Sequence, residues 1–425
     1  MRILLVAPMF PPQSGVAPLR THSFAACWAK AGHDVTVLTT EKRPDQIGLH
    51  LPPAGFKLVE LPHRALWPFE LIRRLGRWRP GAAGPPVTTP SMRRRLLSPL
   101  RALKARTGIF SAVRQPDLTD GWVRPALDWA LANGRWDVVV SSGGPPAAHL
   151  AALGMKARGR CRLWAADFRD LWTDNHIYTG LFPFTLLERQ RERRVLANVD
   201  RLVTVSPELA RRLSAKTGCP VDVIYNGFDP ESFAGLPPTA AFPADGRVRL
   251  VYTGTVYDRG QDLDSLCHGV AAVPAARLVV ASDRADLWAA AARRAGLGDR
   301  LDFRGSVCRS DALRMQRDAS ALILLDWYDP RHGVLTGKVF EYLLSPAPIW
   351  VVGGSADSPA ARLVSQAGRG MGLGRRPKRI RDAILLLRTG NQPRLKPNLN
   401  FIAHLSREEQ ARRFLRLLED RPRGS

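Results

Sequence analysis

The chain has 425 residues, of which 45% are hydrophobic and 24% charged, and its formal net charge is +25. This length exceeds what one hydrophobic core supports, so two or three domains are expected, and the ordinary composition excludes a largely disordered chain. The positive charge favours an anionic partner, which leaves phosphorylated substrates, an acidic membrane surface and nucleic acid as candidates.

Strands and helices are predicted to alternate from the first residues. RILLVAP predicts a buried strand, MFPPQSGVAP a loop, LRTHSFAACWAKAG a helix and HDVTVLTT a second strand. The same order recurs from WDVVVSSGGPPAAHL to VDRLVTVSPELARRL, and a second series runs from RVRLVYTG to APIWVVGG. This alternation predicts parallel sheets with helices on both faces.

A Pro-, Gly- and Ala-rich stretch, FAGLPPTAAFPADG, separates the two series. We predict a Rossmann-like domain over residues 1–232, a second over 233–395 and a helical tail over 396–425 that packs back on the first domain. Both domains should be doubly wound α/β units that face each other across a cleft. Ligands are expected there, at the carboxyl ends of the strands.

The cysteines and the amino-terminal run favour the cytoplasm. Five scattered cysteines without a CxxC pair argue for a reducing compartment and against a zinc site. The apolar run before Pro11 is too short for the hydrophobic region of a signal peptide, and no stretch reaches the roughly 20 apolar residues that span a bilayer. We expect a cytoplasmic protein, peripheral at the inner face of the cell membrane.

Seven phrases in order carry a resemblance to a known family. They are MRILLVAPMFPPQSGVAPLRT, WDVVVSSGGPPAAHL, ADFRDLW, VDRLVTVSPELARRL, VIYNGFDP, LVYTGTVYDRGQDLDSL and TGKVFEYLLSPAPI. Together they resemble the retaining glycosyltransferases of the GT-B fold called family 4, and most closely the bacterial polysaccharide-biosynthesis type with RDLW and GKxFEYL motifs.

The resemblance implies a function. It implies transfer of a sugar from a nucleotide-diphosphate sugar, bound by the second domain, to a saccharide acceptor. A lipid-diphosphate-linked acceptor in cell-envelope or exopolysaccharide biosynthesis would suit it. No metal or other cofactor is expected, since the nucleotide sugar is itself a co-substrate.

The segment HGVLTGKVFEYL should carry most of the donor site. Thr336 and Gly337 begin a helix, where close backbone approach and free N–H groups favour a diphosphate, and Lys338 can add a positive charge. The resemblance gives Glu341 the role of the second Glu of an E-x7-E signature, which binds the ribose hydroxyls; the first Glu would fall at Gly333. The alternative interpretation is that Lys338 and Glu341 are solvated surface charges.

Two loops add donor residues. Gly15, in PPQSGVAP, matches the glycine loop that faces the donor in the family, although a plain turn would also explain it. In TGTVYDRGQDLD, Arg259 matches the second residue of a basic pair, and Thr255 lies where the first would fall. Arg259 and Lys338 would then stabilise the charge of the departing diphosphate.

Asp170, in DFRDLWTDN, is the third catalytic candidate beside Arg259 and Lys338. It lies at the ligand side of a strand, where it could hold a sugar hydroxyl or accept a proton from the acceptor. The competing interpretation is a structural ion pair of Arg169 with Asp170 or Asp167. No role is assigned to His149.

Residues 61–106 are unusually basic, with eleven Lys and Arg against the single acid Glu70. Because aromatic side chains interleave with the arginines, we predict that Trp78, Arg93, Arg94 and Arg95 lie on the acceptor side at an anionic membrane surface. A solvated loop is the alternative. Nucleic acid is not expected, since no recognised nucleic-acid module is present.

Two alternatives to this function stay open. One is transfer to a soluble small molecule. The other is a catalytically weak homologue that serves as a scaffold, which the missing first Glu and the missing first basic residue favour. A non-hydrolysing sugar-nucleotide epimerase would share the architecture, but the chain lacks the acidic and histidine-rich loops expected of one.

Overall fold

The computed structural model describes residues 1–49, 51, 54–63, 103–104, 106–175, 177–257, 260–327, 333 and 335–420. The chain forms two compact units. Unit 1 comprises Met1–Tyr225 together with the end of the chain from Ala411, and unit 2 comprises Asn226–Gln410.

A seven-stranded parallel sheet forms the centre of unit 1, in the order β3-β2-β1-β4-β5-β6-β7. Its central strands are almost wholly buried. The strands are β1 (Arg2–Val6), β2 (Asp34–Thr40), β3 (Lys57–Leu61), β4 (Trp136–Ser142), β5 (Cys161–Phe168), β6 (Arg201–Thr204) and β7 (Asp222–Val223).

Helices cover both faces of this sheet. Ile3 and Leu5 belong to one apolar cluster and Leu4 and Val6 to another, because successive side chains of a strand point to opposite faces. The continuous apolar run of β1 follows from burial on both sides. The helices of this part of the chain are α1 (Val16–Lys30), α2 (Val123–Ala132), α3 (Ala147–Lys156), α4 (Phe184–Asn198) and α5 (Pro207–Thr217).

Unit 2 contains a six-stranded parallel sheet in the order β10-β9-β8-β11-β12-β13. Its strands are β8 (Val248–Thr253), β9 (Ala276–Ala281), β10 (Leu301–Phe303), β11 (Ala321–Leu325), β12 (Ile349–Val352) and β13 (Gly370–Gly374). The remaining helices are α6 (Leu263–Ala271), α7 (Ala285–Arg294), α8 (Arg309–Arg317), α9 (Gly337–Tyr342), α10 (Pro359–Gln366), α11 (Pro377–Arg388), α12 (Leu399–His404) and α13 (Arg407–Glu419).

The end of α13 is part of the core of unit 1. Phe414 is fully buried, and its ring centroid lies 5.3 Å from that of Phe24 and 5.5 Å from that of Trp28. The indole Nε1 of Trp28 donates a hydrogen bond of 2.9 Å to the carbonyl oxygen of Ala411. The prediction that the carboxyl-terminal helix packs on the first domain is therefore confirmed, as is the doubly wound α/β fold class.

In each sheet the strand order reverses at one place, between β1 and β4 in unit 1 and between β8 and β11 in unit 2. Loops that leave the carboxyl ends of such a strand pair run in opposite directions and leave a crevice for a ligand. Within the described ranges no helix is long and apolar enough to cross a membrane.

Candidate functional site

The candidate donor site lies in unit 2, where β8 ends. Gly254 follows β8 with a φ of 112°, a conformation that side chains other than glycine rarely adopt. A Cβ atom on Gly254 would lie 2.4 Å from Cε of Lys338. Because Gly254 has no side chain, the side chain of Lys338 can pack against the end of β8.

Lys338 is held by two oxygen acceptors. Its Nζ donates to the hydroxyl of Tyr252 at 2.7 Å and to the carbonyl oxygen of Thr255 at 2.8 Å. The same nitrogen lies 4.5 Å from the centroid of the Tyr252 ring. Burial lowers the pKa of Lys338 to about 8, and the charge of Asp283 opposes this shift. Lys338 is thus a half-buried cation with fixed partners, and the solvated surface charge considered above is wrong for it.

Glu341 lies one turn further along α9 and is also held in place. Its Oε1 accepts a hydrogen bond of 2.9 Å from Nε2 of Gln316, and its Oε2 forms an ion pair of 2.8 Å with Nη1 of Arg309. The Glu341 side chain is 20% exposed. Lys338 and Glu341 are three residues apart on one helix, so they share a face of it.

A second guanidinium adds positive charge near Glu341. Burial lowers the pKa of Arg407 to about 10, and the positive charge of Arg309 lowers it further, against the charges of Asp229 and Glu341. Sequence reasoning missed Arg309, Gln316 and Arg407. They lie on other helices, far away in sequence, and no motif marks them.

The start of α9 explains the departure at Gly333. Gly333 has a φ of 62°, the left-handed region that favours glycine, so a Glu at this position would be strained. Thr336 precedes the helix, and in the described part of the chain its buried Oγ1 has no hydrogen-bond partner. Gly337 is the first residue of α9, which has only six residues.

The structure thus brings five predicted residues together in unit 2. They are Thr255, Thr336, Gly337, Lys338 and Glu341. The predictions for Arg259, Trp78, Arg93, Arg94 and Arg95 fall outside the described residues.

Asp170 follows β5 in unit 1 and is surface-accessible. With Gly144, His149 and Phe168 it lines a cavity of about 20 Å³, large enough for roughly one water molecule. The neighbouring protein atoms displace part of the water around this exposed carboxylate and so raise its pKa; the charge of Arg169 acts against this shift and that of Asp167 adds to it. A carboxyl group with a raised pKa is suited to accept a proton.

Arg169 does not pair with a carboxylate in the described structure. Its Nε donates to the carbonyl oxygen of Gly143 at 2.7 Å and its Nη2 to that of Gly144 at 2.5 Å. Asp167 instead binds Arg20, with distances of 2.8 and 3.0 Å, and both side chains are buried. The competing interpretation, an ion pair of Arg169 with Asp170 or Asp167, is therefore wrong. The Arg169 guanidinium instead binds carbonyl groups of the loop after β4.

The Arg20–Asp167 pair was not predicted. Burial alone would raise the pKa of Asp167, but the charge and hydrogen bonds of Arg20 hold it below its usual value. The Ser142 hydroxyl donates a further hydrogen bond of 2.9 Å to Asp167. Nη1 of Arg20 donates to the carbonyl oxygen of Tyr225 at 2.7 Å, so the pair joins α1, β5 and the last residue of the first segment of unit 1.

His149 and Gly15 have structural explanations. Burial lowers the pKa of His149 to about 3, its Nδ1 is 2.8 Å from Oγ of Ser141, and its ring stacks on Phe168 at 4.3 Å. His149 is therefore a neutral core residue. Gly15 precedes α1 with a φ of 139°, which a residue with a Cβ would adopt only under strain.

A larger cavity of about 430 Å³ lies elsewhere in unit 1, on α4 and α5. Lys216 lines it, but its Nζ already pairs with Asp174 at 3.0 Å and with Glu192 at 2.9 Å. None of its lining residues is a predicted donor or catalytic residue, so we place the reaction elsewhere. Among the described residues, no group of three or more His, Cys, Asp or Glu could hold a metal ion.

The sequence profile of the glycosyl transferase 4-like domain matches residues 17–227. The chain is a glycosyltransferase. Among curated proteins, no sequence matches this glycosyltransferase significantly.

Solved structures show the same fold at low sequence identity. Sucrose-phosphate synthase from Thermosynechococcus elongatus has a TM-score of 0.65 and 15% identity, with 98% of each chain covered. Anabaena HepE in complex with UDP and glucose has a TM-score of 0.60 and 11% identity, with 99% of this chain and 100% of that chain covered. The apo form of the lipopolysaccharide outer core galactosyltransferase WaaB has a TM-score of 0.55 and 13% identity, with 99% of each chain covered.

The fold itself is shared more widely. A putative UDP-N-acetylglucosamine 2-epimerase from Listeria monocytogenes has a TM-score of 0.55 and 12% identity, with 99% of this chain and 98% of that chain covered. The structural likenesses therefore establish the GT-B fold, and the family profile points to sugar transfer within it.

Proposed function

We propose that this glycosyltransferase moves a sugar, with retention of configuration, from a nucleotide-diphosphate sugar to a saccharide acceptor. The observation that carries the proposal is that Lys338 and Glu341 lie on the same face of α9. Lys338 is fixed against Tyr252 and Thr255 at the end of β8, beside the reversal of strand order. Lys338 thus offers a positive charge to a diphosphate, and Glu341, one helical turn later, offers a carboxylate to ribose hydroxyls.

Each residue has a distinct role in the proposed reaction. Glu341 accepts hydrogen bonds from the ribose, and Lys338 faces the diphosphate together with Thr336, Gly337 and Arg259. Negative charge grows on the diphosphate as its bond to the anomeric carbon breaks, so a fixed cation at that place stabilises the transition state. HepE was solved with UDP, which supports a nucleotide donor for this fold.

The acceptor oxygen then bonds to the anomeric carbon on the face that the diphosphate leaves. Its proton passes to a departing diphosphate oxygen or to Asp170, so charge and atoms balance. The raised pKa of Asp170 suits the second route. Gly15 would let the donor approach the loop after β1. Neither step requires a bound metal, and the absence of a cofactor stays a prediction.

We further propose a lipid-diphosphate-linked saccharide as the acceptor, in cell-envelope or exopolysaccharide biosynthesis. Its support is the basic, aromatic-containing stretch of residues 61–106 in the sequence, which includes Trp78, Arg93, Arg94 and Arg95. WaaB, which shares the fold, is a lipopolysaccharide galactosyltransferase. The enzyme would act at the cytoplasmic face of the membrane as a peripheral protein.

One observation favours a second function, that of a catalytically weak scaffold homologue. Both carboxylate oxygens of Glu341 already have partners, Gln316 and Arg309. Ribose hydroxyls would have to share or replace the contact with Arg309. If they cannot, the nucleotide would not bind and the chain would serve as a binding subunit.

Thermal unfolding of the full chain with a panel of nucleoside diphosphates and nucleotide sugars separates these functions. A ligand at one hundred times its dissociation constant adds about 2.7 kcal/mol to the free energy of unfolding. We expect stabilisation by the diphosphates of one base and by the matching nucleotide sugar. No stabilisation by any ligand, in a folded sample, would contradict transfer and favour the scaffold.

The stereochemistry is tested with the donor that this panel selects. Nuclear magnetic resonance of the anomeric proton, recorded as product first forms, gives the configuration of the new bond. Retention is expected, and inversion would contradict the same-face mechanism while leaving the donor site intact.

A further inference from the structure

The loop before α4 and the first turn of this helix expose an unusual number of large apolar side chains. Phe182 is 74% exposed and Leu186 56%, while Phe184 is 38% and Leu187 39% exposed. We call these four residues the apolar tip. Four exposed large apolar side chains within six residues indicate an interaction site, because their surface gains free energy when a partner covers it.

The exposed charges of α4 are all positive. Its two acids point inward: Glu188 pairs with Arg114 at 2.9 Å and Glu192 pairs with Lys216 at 2.9 Å, and both carboxylates are buried. The exposed charged side chains of α4 are Arg189, Arg193 and Arg194, which we call the arginine row. Within the described residues none of the three forms an ion pair. A sequence count would therefore underestimate the positive charge of this face.

The apolar tip and the arginine row follow each other along the helix axis. Arg193 lies seven residues after Leu186, two turns later on the same face, which is about 10 Å along the axis. Apolar side chains of interfacial helices reach about 5–10 Å into the boundary between headgroups and acyl chains. The leucines and phenylalanines would thus meet the acyl boundary while the guanidinium groups lie among the phosphates. This layering matches a bilayer better than the mixed surface of a protein.

The apolar tip is also joined to the basic stretch of the sequence. The backbone N–H of Thr179 donates to the carbonyl oxygen of Arg106 at 3.3 Å, and that of Gly180 donates to Thr107 at 3.0 Å. Arg106 is the last residue of the basic stretch 61–106. The chain that leads into Phe182 is therefore fixed where this stretch ends.

We propose that the apolar tip and the arginine row form a docking surface for a bilayer of anionic lipids. This inference deepens the membrane association proposed above, on which it rests for its biological use, and assigns it to a surface that the sequence did not identify. Its physical basis is separate from the donor site: apolar burial supplies part of the affinity, and attraction between arginines and lipid phosphates supplies the rest.

The test measures co-sedimentation of the full chain with vesicles. Vesicles of phosphatidylcholine alone are compared with vesicles that also contain phosphatidylglycerol. The variant Arg189→Gln, Arg193→Gln, Arg194→Gln should bind the anionic vesicles about one hundredfold more weakly, since each arginine near such a surface contributes about fivefold. The matched control Arg376→Gln, Lys378→Gln, Arg379→Gln removes the same charge from exposed positions at the start of α11 and should bind like the unmodified chain.

The apolar part is tested with Phe182→Ser, Leu186→Ser. Loss of two buried apolar side chains should weaken vesicle binding about tenfold or more. The control Leu385→Ser, Leu386→Ser changes two exposed leucines of α11 and should leave binding unchanged. All these positions are exposed, so thermal unfolding of the variants should match that of the unmodified chain.

Several results would overturn the proposal. One is the absence of binding to anionic vesicles by the unmodified chain, and another is equal binding by the α4 variants and their controls. Loss of binding only in Arg93→Gln, Arg94→Gln, Arg95→Gln would assign the membrane contact to the basic stretch instead. If the unmodified chain self-associates in solution, loss of this association in the Phe182→Ser, Leu186→Ser variant with vesicle binding retained would assign the apolar tip to self-association. Stabilisation by nucleotides reports separately on the donor site.

Discussion

At the scale of single residues, Lys338 matters most because its surroundings lower its pKa into the range of a binding assay. Lys338 is half-buried, and its amino group donates hydrogen bonds to the Tyr252 hydroxyl and the Thr255 carbonyl oxygen. Burial brings its pKa down to about 8, so the cation is lost at a pH that a nucleotide-binding assay can reach. The charge proposed to meet the diphosphate is therefore titratable.

This pKa predicts the pH dependence of nucleotide affinity. Lys338 is charged below pH 8 and becomes neutral above it, so the affinity should fall as the pH rises. If only the charged form binds well, the dissociation constant should increase about tenfold between pH 7 and pH 9. Titration calorimetry at several pH values measures this change.

The control is Lys338→Met, which keeps a long side chain without the charge. Its affinity should be weaker at pH 7 and nearly independent of pH over the same range. A pH dependence that persists in Lys338→Met would show that another group is responsible.

At the scale of elements, the loop after β8 and the short helix α9 act together. Gly254 has a positive φ, and Cε of Lys338 lies where its Cβ would be. Gly254→Ala should therefore displace the lysine, weaken nucleotide binding and destabilise unit 2 by about 1–3 kcal/mol. Calorimetric titration and thermal unfolding measure the two effects.

Gly296→Ala is the matched control. Gly296 also has a positive φ, but a Cβ atom added to it would meet nothing within 4 Å. This variant should show the cost of backbone strain alone and bind nucleotide normally. Equal nucleotide affinity in both variants would contradict the claim that Gly254 positions Lys338.

The sequence predicted elements better than the contacts between them. The alternation of apolar strands and helices was sufficient to predict the fold. The motif around α9 was sufficient to place Lys338 and Glu341 on one short helix, and their roles toward a donor stay predictions. The motif could not reveal that Gln316 and Arg309 of α8 hold Glu341, because long-range pairing leaves no local pattern. For the same reason the sequence offered only a neighbour, Arg169, as a possible ion-pair partner of Asp167, whereas the structure pairs Asp167 with Arg20 of α1.

At the scale of the whole molecule, the end of the chain returns to unit 1. The predicted domain limits after residues 232 and 395 followed composition and linker residues, while the contacts divide the chain after Tyr225 and Gln410. An amphipathic pattern indicates that one face of a helix is buried, but it does not identify the residues that cover this face. The core position of α13 depends on contacts of Phe414 with Phe24 and Trp28, which lie almost four hundred residues earlier in the sequence.

This packing predicts where a mutation in the tail acts. Phe414 is fully buried against the rings of Phe24 and Trp28, so Phe414→Ala should lower the free energy of unfolding of unit 1 by about 3–5 kcal/mol. Hydrogen exchange of the backbone amides of β1 reports on unit 1, and that of β8 reports on unit 2.

Protection should fall in β1 and stay unchanged in β8. Leu385→Ala, which shortens an exposed leucine of α11, serves as the control and should change neither strand. Loss of protection in β8 alone would contradict the assignment of the tail to the core of unit 1.

The most direct test of the central claim is a titration of the selected nucleoside diphosphate against the unmodified chain and Glu341→Ala. Hydrogen bonds to a charged acceptor predict a roughly ten- to one-hundredfold loss of affinity in the variant. Glu231→Ala, which removes an exposed carboxylate of unit 2, should bind like the unmodified chain. Unchanged affinity in a folded Glu341→Ala variant would contradict the donor site described for α9.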